Sequence, residues 1–310
     1  MIEVQGLTKR YGRTKAVDEL SFTVRPGEVT GFLGPNGAGK STTMRLILGL
    51  ETAESGQALI DGVAYRDLPW PLRQVGSHLD ARFFHPGMTA GQHLLAQARA
   101  NAIDRRRVDQ VLDLVGLTQV AGKRAGTFSL GMAQRLGIAS ALLGDPATLL
   151  FDEPMNGLDP EGIHWIRGLL RGLAAEGRAV LLSSHLIGEM ALTADRLVVI
   201  GHGRMVSELS MADLTERAPE RVRVRTADPE RLVPILRGAG MSVATGSDGA
   251  LAVTGGDAKG IAGQAFAASI LLTELTPERA TLEEVFFELT DASVEYRGAP
   301  RSGQGGPGPR

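Results

Sequence analysis

The chain has no cysteine. Disulfides, thiolate-bound zinc and iron–sulfur clusters are therefore excluded, an absence that fits a reducing compartment. It also lacks an excess of either charge. Lys and Arg number 33 against 35 Asp and Glu, a net charge of −2, which argues against a strongly basic nucleic-acid binder. No apolar run approaches the roughly 18 residues that a membrane-spanning helix needs. The first residues, Met1 to Tyr11, show no basic segment leading into an apolar one, so no secretory leader is expected. Internal repeats are absent as well. What the chain has in surplus is glycine, 40 of 310 residues, against a usual share of about 7%. Such a surplus marks places where the backbone turns tightly or approaches a ligand. The length itself suggests about two domains.

Short runs near the start read as strands, Ile2–Val4, Ser21–Arg25 and Gln57–Ile60, with a buried-strand candidate at Val29–Leu33. A glycine-rich segment follows Leu33 and opens an amphipathic helix over Ser41–Leu48. From about residue 84 to 146 the pattern becomes helical, through His93–Ala102, Arg106–Val115 and Gly131–Leu143. Strand signals return at Thr148–Phe151, Ala179–Leu182 and Leu197–Ile200, with a helix over Glu161–Ala175. This alternation predicts parallel strands joined by crossover helices, an α/β core interrupted by a helical insert. A second unit, residues 219–296, shows a β-α-β-β-α-β order and predicts a small α+β domain of ferredoxin-like type. Its last helix is expected over Thr281–Leu289. The Gly/Pro/Arg-rich stretch 297–310 is expected to be disordered.

The chemistry starts at Gly34-Pro35-Asn36-Gly37-Ala38-Gly39-Lys40-Ser41, a G-x-x-x-x-G-K-S pattern between a predicted strand and a helix. Glycines let successive N–H groups converge, and the helix N-terminus adds unpaired donors and partial positive charge. Lys40 supplies a full charge for β- and γ-phosphates, and the Ser41 hydroxyl can ligand Mg²⁺. The apolar strand Thr148–Phe151 ends in two acids. At the C-terminal end of a parallel strand, Asp152 is placed for the Mg²⁺ shell, and Glu153 for orienting or deprotonating an attacking water. His78, His85 and His93 straddle Pro86-Gly87 without helical i, i+4 spacing, and so do not read as a metal site.

With these residues in view, the sequence resembles the nucleotide-binding subunits of ABC transporters over roughly residues 1–215. Gly34–Ser41 matches the family's Walker A motif and Leu149–Glu153 its Walker B motif with the catalytic glutamate. Phe128-Ser129-Leu130-Gly131-Met132 resembles the LSGGQ signature, Asn156–Asp159 the D-loop, and Ser183-Ser184-His185 the segment bearing the switch histidine. Several ordered elements make the match specific. The fold implied is a P-loop NTPase core of ABC type, residues 1–218, with the α+β accessory domain behind it.

The implied ATP site comprises Gly34, Pro35, Asn36, Gly37, Ala38, Gly39, Lys40, Ser41 and Thr42, with Tyr11 stacking on adenine. Glu153 and His185 are the catalytic pair. Ser129 and Gly131, at the start of a helix, face the γ-phosphate of an opposite subunit, and Asp159 lies at the dimer seam. ATP and Mg²⁺, a homodimer and a separate integral-membrane permease follow from the resemblance, and no nucleic-acid partner does. So does a cytoplasmic location, peripheral on the inner face of the membrane. The activity implied is ATP hydrolysis driving export of drugs or other hydrophobic compounds. A soluble ATPase or a regulatory switch is the competing reading.

Two positions depart from the family pattern. Leu130 replaces the first signature glycine, and Asp80 stands where the family has a glutamine after Val75–Leu79. Asp80 is a candidate metal ligand or coupling residue.

Overall fold

The computed structural model describes residues 1–216, 220–246 and 248–279. The expected helix at Thr281–Leu289 and the tail 297–310 lie outside the described residues. In chain order, β1 (Ile2–Tyr11) and β2 (Thr14–Val24) form a hairpin, and β3 (Val29–Leu33) runs into the glycine loop and α1 (Lys40–Ile47). After β4 (Ser55–Ile60), a short α2 (Pro71–Gln74) leads into β5 (Val75–His78). The helical insert holds α3 (Ala90–Ala100), α4 (Arg105–Leu114) and α5 (Leu130–Leu142). The core resumes with β6 (Thr148–Asp152), α6 (Pro160–Ala175), β7 (Ala179–Ser184), α7 (Ile187–Ala191), β8 (Arg196–Gly201), β9 (Arg204–Ser210) and α8 (Met211–Glu216). The C-terminal unit follows as β10 (Glu220–Thr226), α9 (Pro229–Gly238), β11 (Ser242–Thr245), β12 (Leu251–Thr254), α10 (Ala258–Ala267) and β13 (Leu272–Arg279).

The central sheet has the order β5-β6-β7-β3-β8-β9, parallel except for the edge pair β8–β9. Its strands are apolar on both sides because both faces are covered. Leu149, Phe151, Val180, Leu182, Leu197 and Val199 pack toward the helices. The alternating residues Leu150, Leu181, Val198 and Ile200 pack toward α1 and a second sheet of order β2-β1-β4. The period-2 split of otherwise continuous apolar runs makes this a three-layer arrangement.

The hairpin is longer than the sequence pattern indicates. β1 continues to Tyr11 rather than ending at Val4. Its pairing is shifted between Val4 and Leu7 and again between Leu7 and Lys9, and each irregularity breaks the period-2 alternation that identifies a strand. The edge strand β9 has no counterpart among the expected strands, since the outer edge of a sheet carries mixed polar residues.

In the insert, Thr89 starts α3 with a reciprocal capping box. Its Oγ1 accepts from the Gln92 N–H, and the Gln92 side chain accepts from the Thr89 N–H. His78 and His93 are core residues of this region, ringed by Phe83 and Phe84. Burial pushes both imidazole pKa values down.

The C-terminal sheet has the order β11-β12-β10-β13 and is antiparallel throughout. Strand β10 alternates Arg and Val for a plain reason. Val222 and Val224 enter the core beneath α9 and α10. Arg221, Arg223 and Arg225 line the other face and pair with Glu278, Glu274 and Asp248.

Candidate active site

Strand register builds the site. Leu33 on β3 lies opposite Ser184 on β7, and Asp152 on β6 lies opposite Ser183. The three strands therefore end level with one another. The residues just beyond them, Gly34, Glu153 and His185, emerge side by side at the C-terminal edge of the sheet, where ligands of such sheets bind.

The loop after β3 arches back into α1. Gly39, the residue before that helix, has φ +106°. A Cβ there would lie 2.3 Å from the Ala16 carbonyl oxygen, so no other residue fits the arch. The turn between β8 and β9 braces it from below, with the Gly203 N–H donating to the Ala38 carbonyl at 3.0 Å. The cleft above the arch holds about 200 Å³ and is lined by residues of the 35–42 loop and by Glu153.

Lys40 is 6% exposed and aims its ammonium into this arch. It donates to the Gly34 carbonyl at 2.7 Å and to the Pro35 carbonyl at 3.3 Å, and it lies 3.4 Å from a Glu153 carboxylate oxygen. A buried cation held by carbonyls and one carboxylate is poised to exchange these partners for phosphate oxygens.

Glu153 departs from the strand with φ +49°. A non-glycine residue in that region costs about 1–3 kcal/mol unless its surroundings hold it. Here Ser183 holds it. Its Oγ accepts from the Glu153 N–H at 3.0 Å and donates to Asp152 Oδ1. His185 Nδ1 sits 3.0 Å from Glu153 Oε2, so the ring, with its proton on Nδ1, donates to the carboxylate. One hydroxyl thus orients both acids, and one imidazole contacts the second.

Three comparisons bear on this geometry. Residues 17–156 match a family model described as ABC transporter, and residues 220–283 match a domain of unknown function, DUF8746. The bacitracin transport ATP-binding protein BcrA of Bacillus licheniformis is 39% identical over 239 residues, which cover 76% of this chain and 78% of the relative. A BcrA of Enterococcus faecalis is 33% identical over 296 residues, 93% of this chain and 96% of that one. Among solved structures, a dimeric post-hydrolysis state of the ATP-binding cassette MJ0796, bound to ADP and Pi, superposes with a TM-score of 0.62. It is 25% identical and covers 68% of this chain and 99% of that chain.

The chain belongs to the ABC transporter ATP-binding subunits. As an ABC ATPase it binds nucleotide and hydrolyses ATP.

Other residues expected in the ABC site lie elsewhere. Ser129 caps α5, accepting from the Met132 N–H at 3.2 Å, and Asp159 caps α6, accepting from the Gly162 N–H at 2.8 Å. Gly131 faces Leu158 and the Gly157 carbonyl. None of Ser129, Gly131 and Asp159 lines the cleft of its own chain. Leu130 is the first residue of α5 and is not among the non-glycine residues with positive φ, so the signature needs no glycine at this position. Its side chain covers Gly157, where a Cβ would lie 2.0 Å from Leu130 Cδ2. Signature and D-loop therefore pack as one piece of the ABC cassette. Asp80 is exposed beyond β5 and accepts from the Arg82 N–H at 2.8 Å, outside the cleft lining.

Sequence reasoning missed two supporting residues. In the sequence Ser183 belongs only to the segment that bears the switch histidine. Its role depends on register with Asp152 and has no local signature. Gln134 is 5% exposed; it donates to the Asn156 carbonyl at 3.1 Å and pairs with His78 through its other amide atom. It joins β5, α5 and the D-loop across 56 residues of sequence.

With Asp152 as the expected Mg²⁺ ligand, replacing Ser183 with Ala should raise the Mg²⁺ concentration for half-maximal ATPase activity about tenfold, the usual scale for losing a residue that orients such a carboxylate. A Mg²⁺ titration of the purified variant checks this. An unshifted midpoint with normal turnover would remove Ser183 from that role.

Proposed function

We propose that this ATPase subunit works as a homodimer that closes on two ATP molecules and drives a separate integral-membrane permease. The observation that carries the reading is the division of the site. In one chain Lys40 of the glycine loop meets Glu153, which contacts His185 and shares Ser183 with Asp152, whereas the side chains of Ser129 and Asp159 cap α5 and α6 and Gly131 faces Leu158. A second copy is the natural source of those groups, and the dimeric cassette with ADP and Pi supports the same arrangement.

Within the dimer, the loop N–H groups between Gly34 and Ser41, with Thr42, cradle the phosphates, and Lys40 moves from the Gly34 carbonyl to the β- and γ-phosphate oxygens. Tyr11 offers its ring to the adenine. Glu153 accepts the proton of the attacking water, and His185, in contact with that carboxylate, faces the terminal phosphate. Ser129 and Gly131 present the N-terminus of α5 to the γ-phosphate across the seam. Hydrolysis removes the group that both copies hold, so the dimer opens.

The oxygen donors suit Mg²⁺. Asp152, at the end of β6, accepts from the Ser183 hydroxyl through Oδ1, and the exposed Ser41 hydroxyl lies at the first turn of α1. No self-sufficient cluster of three or more His, Asp or Glu occurs among the described residues, which fits an ion bound by one carboxylate, a hydroxyl, water and the substrate's own phosphates. Bound there, Mg²⁺ would neutralise charge on the β- and γ-phosphates. Asp80 remains a candidate for coupling to the permease or for the outer metal shell.

Among the described residues no helix is long and apolar enough to cross a membrane. The chain is read as sitting on the inner face of the membrane through the permease, docked by the helical insert around residues 80–100. Residues 219–296 are read as a ferredoxin-like accessory domain. The cargo class is drugs or other hydrophobic compounds; two of the relatives are named for transport of bacitracin.

Expressed from its own locus with neighbouring genes intact, the chain should sediment with membranes. Expressed alone, it should stay in the supernatant. Recovery in the supernatant under both conditions would overturn the exporter reading in favour of a soluble ATPase or switch.

A further inference from the structure

Tyr11 stands at the end of β1, half exposed, beside the first turn of α1. Its surroundings are more ordered than an aromatic at a hairpin tip requires. The phenol donates to Glu51 Oε2, and the nearby Thr42 hydroxyl, which belongs to the cleft, acts on the phenol in the opposite sense. Glu51 itself is held by cations on either side. Arg45 Nε lies 2.9 Å from Oε1 and Lys9 Nζ 3.8 Å from Oε2. Lys9 in turn donates to the Thr52 carbonyl at 2.9 Å and lies 5.4 Å from the centre of the Tyr11 ring.

These contacts fix three things. Glu51 lies in the turn after α1 and pairs with Arg45 of that helix, so it ties the ring to the helix that follows the phosphate loop. The Lys9 ammonium sits against one face of the ring, which draws electron density there and leaves the other face to a planar partner. The Glu51 hydrogen bond holds the Tyr11 pKa above its ordinary value, and the same bond pulls the Glu51 carboxyl down. The phenol therefore remains a donor and the carboxylate an acceptor at neutral pH.

We propose that Glu51 is a positioning residue for base recognition: it sets the Tyr11 ring beside α1 so that the base stacks on a platform fixed before nucleotide arrives. The inference rests on the reading of Tyr11 as the base-stacking residue. An aromatic ring free to rotate would have to be immobilised on binding, and the affinity would fall accordingly. Arg45 acts through Glu51, and Lys9 acts both on Glu51 and on the ring.

The experiment compares ATP with inorganic tripolyphosphate, which has the phosphates and no base. Equilibrium affinities for both, and the ATPase kcat and KM, are measured on the full chain with Glu51→Ala, Glu51→Gln, Tyr11→Phe, Tyr11→Ala and the Glu51→Ala/Tyr11→Phe pair. Glu51→Ala and Tyr11→Phe should each weaken ATP about three- to tenfold. KM should rise with kcat at saturation kept, and tripolyphosphate affinity should not move. The double variant should be no weaker than either single one, because both remove the same bond. Glu51→Gln, which retains an acceptor oxygen, should recover most of the loss. The proposal is overturned if Glu51→Ala weakens tripolyphosphate as much as ATP, which would mean a damaged α1, or if the two losses add. It is also overturned if Tyr11→Ala weakens ATP while Glu51→Ala does not. If Tyr11→Ala itself leaves ATP affinity unchanged, the stacking reading falls and this inference with it.

Discussion

Glu153→Gln should lower ATP turnover by about 10²- to 10⁴-fold, the range that a positioned general base contributes, while ATP binding persists. The amide matches the carboxylate in size and can keep the left-handed backbone at φ +49°. Its N–H still meets Ser183 Oγ, and its carbonyl can still accept from His185 Nδ1. What it loses is the capacity to take a proton from water. It also removes a negative charge 3.4 Å from Lys40, so an incoming triphosphate meets less repulsion and binds at least as tightly. The variant should accumulate as a dimer in MgATP, because closure no longer ends in hydrolysis. Steady-state phosphate release and size-exclusion chromatography with MgATP test both halves. A monomer at saturating MgATP contradicts the two-copy mechanism, and normal turnover contradicts the assignment of Glu153.

The second large effect falls on binding. Lys40→Ala removes a cation that is 6% exposed and therefore little screened by solvent. Truncating one member of a buried, hydrogen-bonded charge pair costs about 2–5 kcal/mol, or roughly thirty- to several-thousand-fold in Kd for ATP. Lys40→Arg should recover only part of this. The guanidinium keeps the charge, but its planar fork is bulkier than the ammonium that reaches the Gly34 carbonyl at 2.7 Å. Equilibrium titration with ATP decides the matter, and unchanged affinity in Lys40→Ala would take Lys40 out of the phosphate site. The two variants separate cleanly, one losing chemistry with binding kept and the other losing binding itself.

The phosphate loop was legible because its demands are local. Gly39, Lys40 and Ser41 must follow one another for the arch, the cation and the hydroxyl to converge, and the pattern is rare enough to recognise. The apolar strand ending in Asp152 and Glu153 was legible for the same reason. Ser183 was not, since nothing within its own segment says that it will stand opposite Asp152. Gln134 and Glu51 were invisible for a related reason: each acts on a partner tens of residues away, His78 for one and Tyr11 for the other. The hairpin was underread because bulges along β1 hide its alternation. Leu130 departs from the signature, a change the loop tolerates if the position needs no left-handed φ. In place, it begins α5 with no left-handed backbone and fills the space over Gly157.

By itself, then, the order of residues determined the family, the phosphate-binding loop, the pair of acids and the α/β alternation, because each depends on short-range spacing and on the periodicity of apolar residues. Tertiary structure alone decided how the site is assembled. The level ends of β3, β6 and β7 place Glu153 against Lys40, Ser183 and His185, and packing of α5 against the segment before α6 keeps Ser129, Gly131 and Asp159 out of that cleft. The physical reason is register: hydrogen-bonded strands and packed helices fix distances between groups far apart in the chain, and those distances, rather than any neighbouring residues, set which side chains can meet.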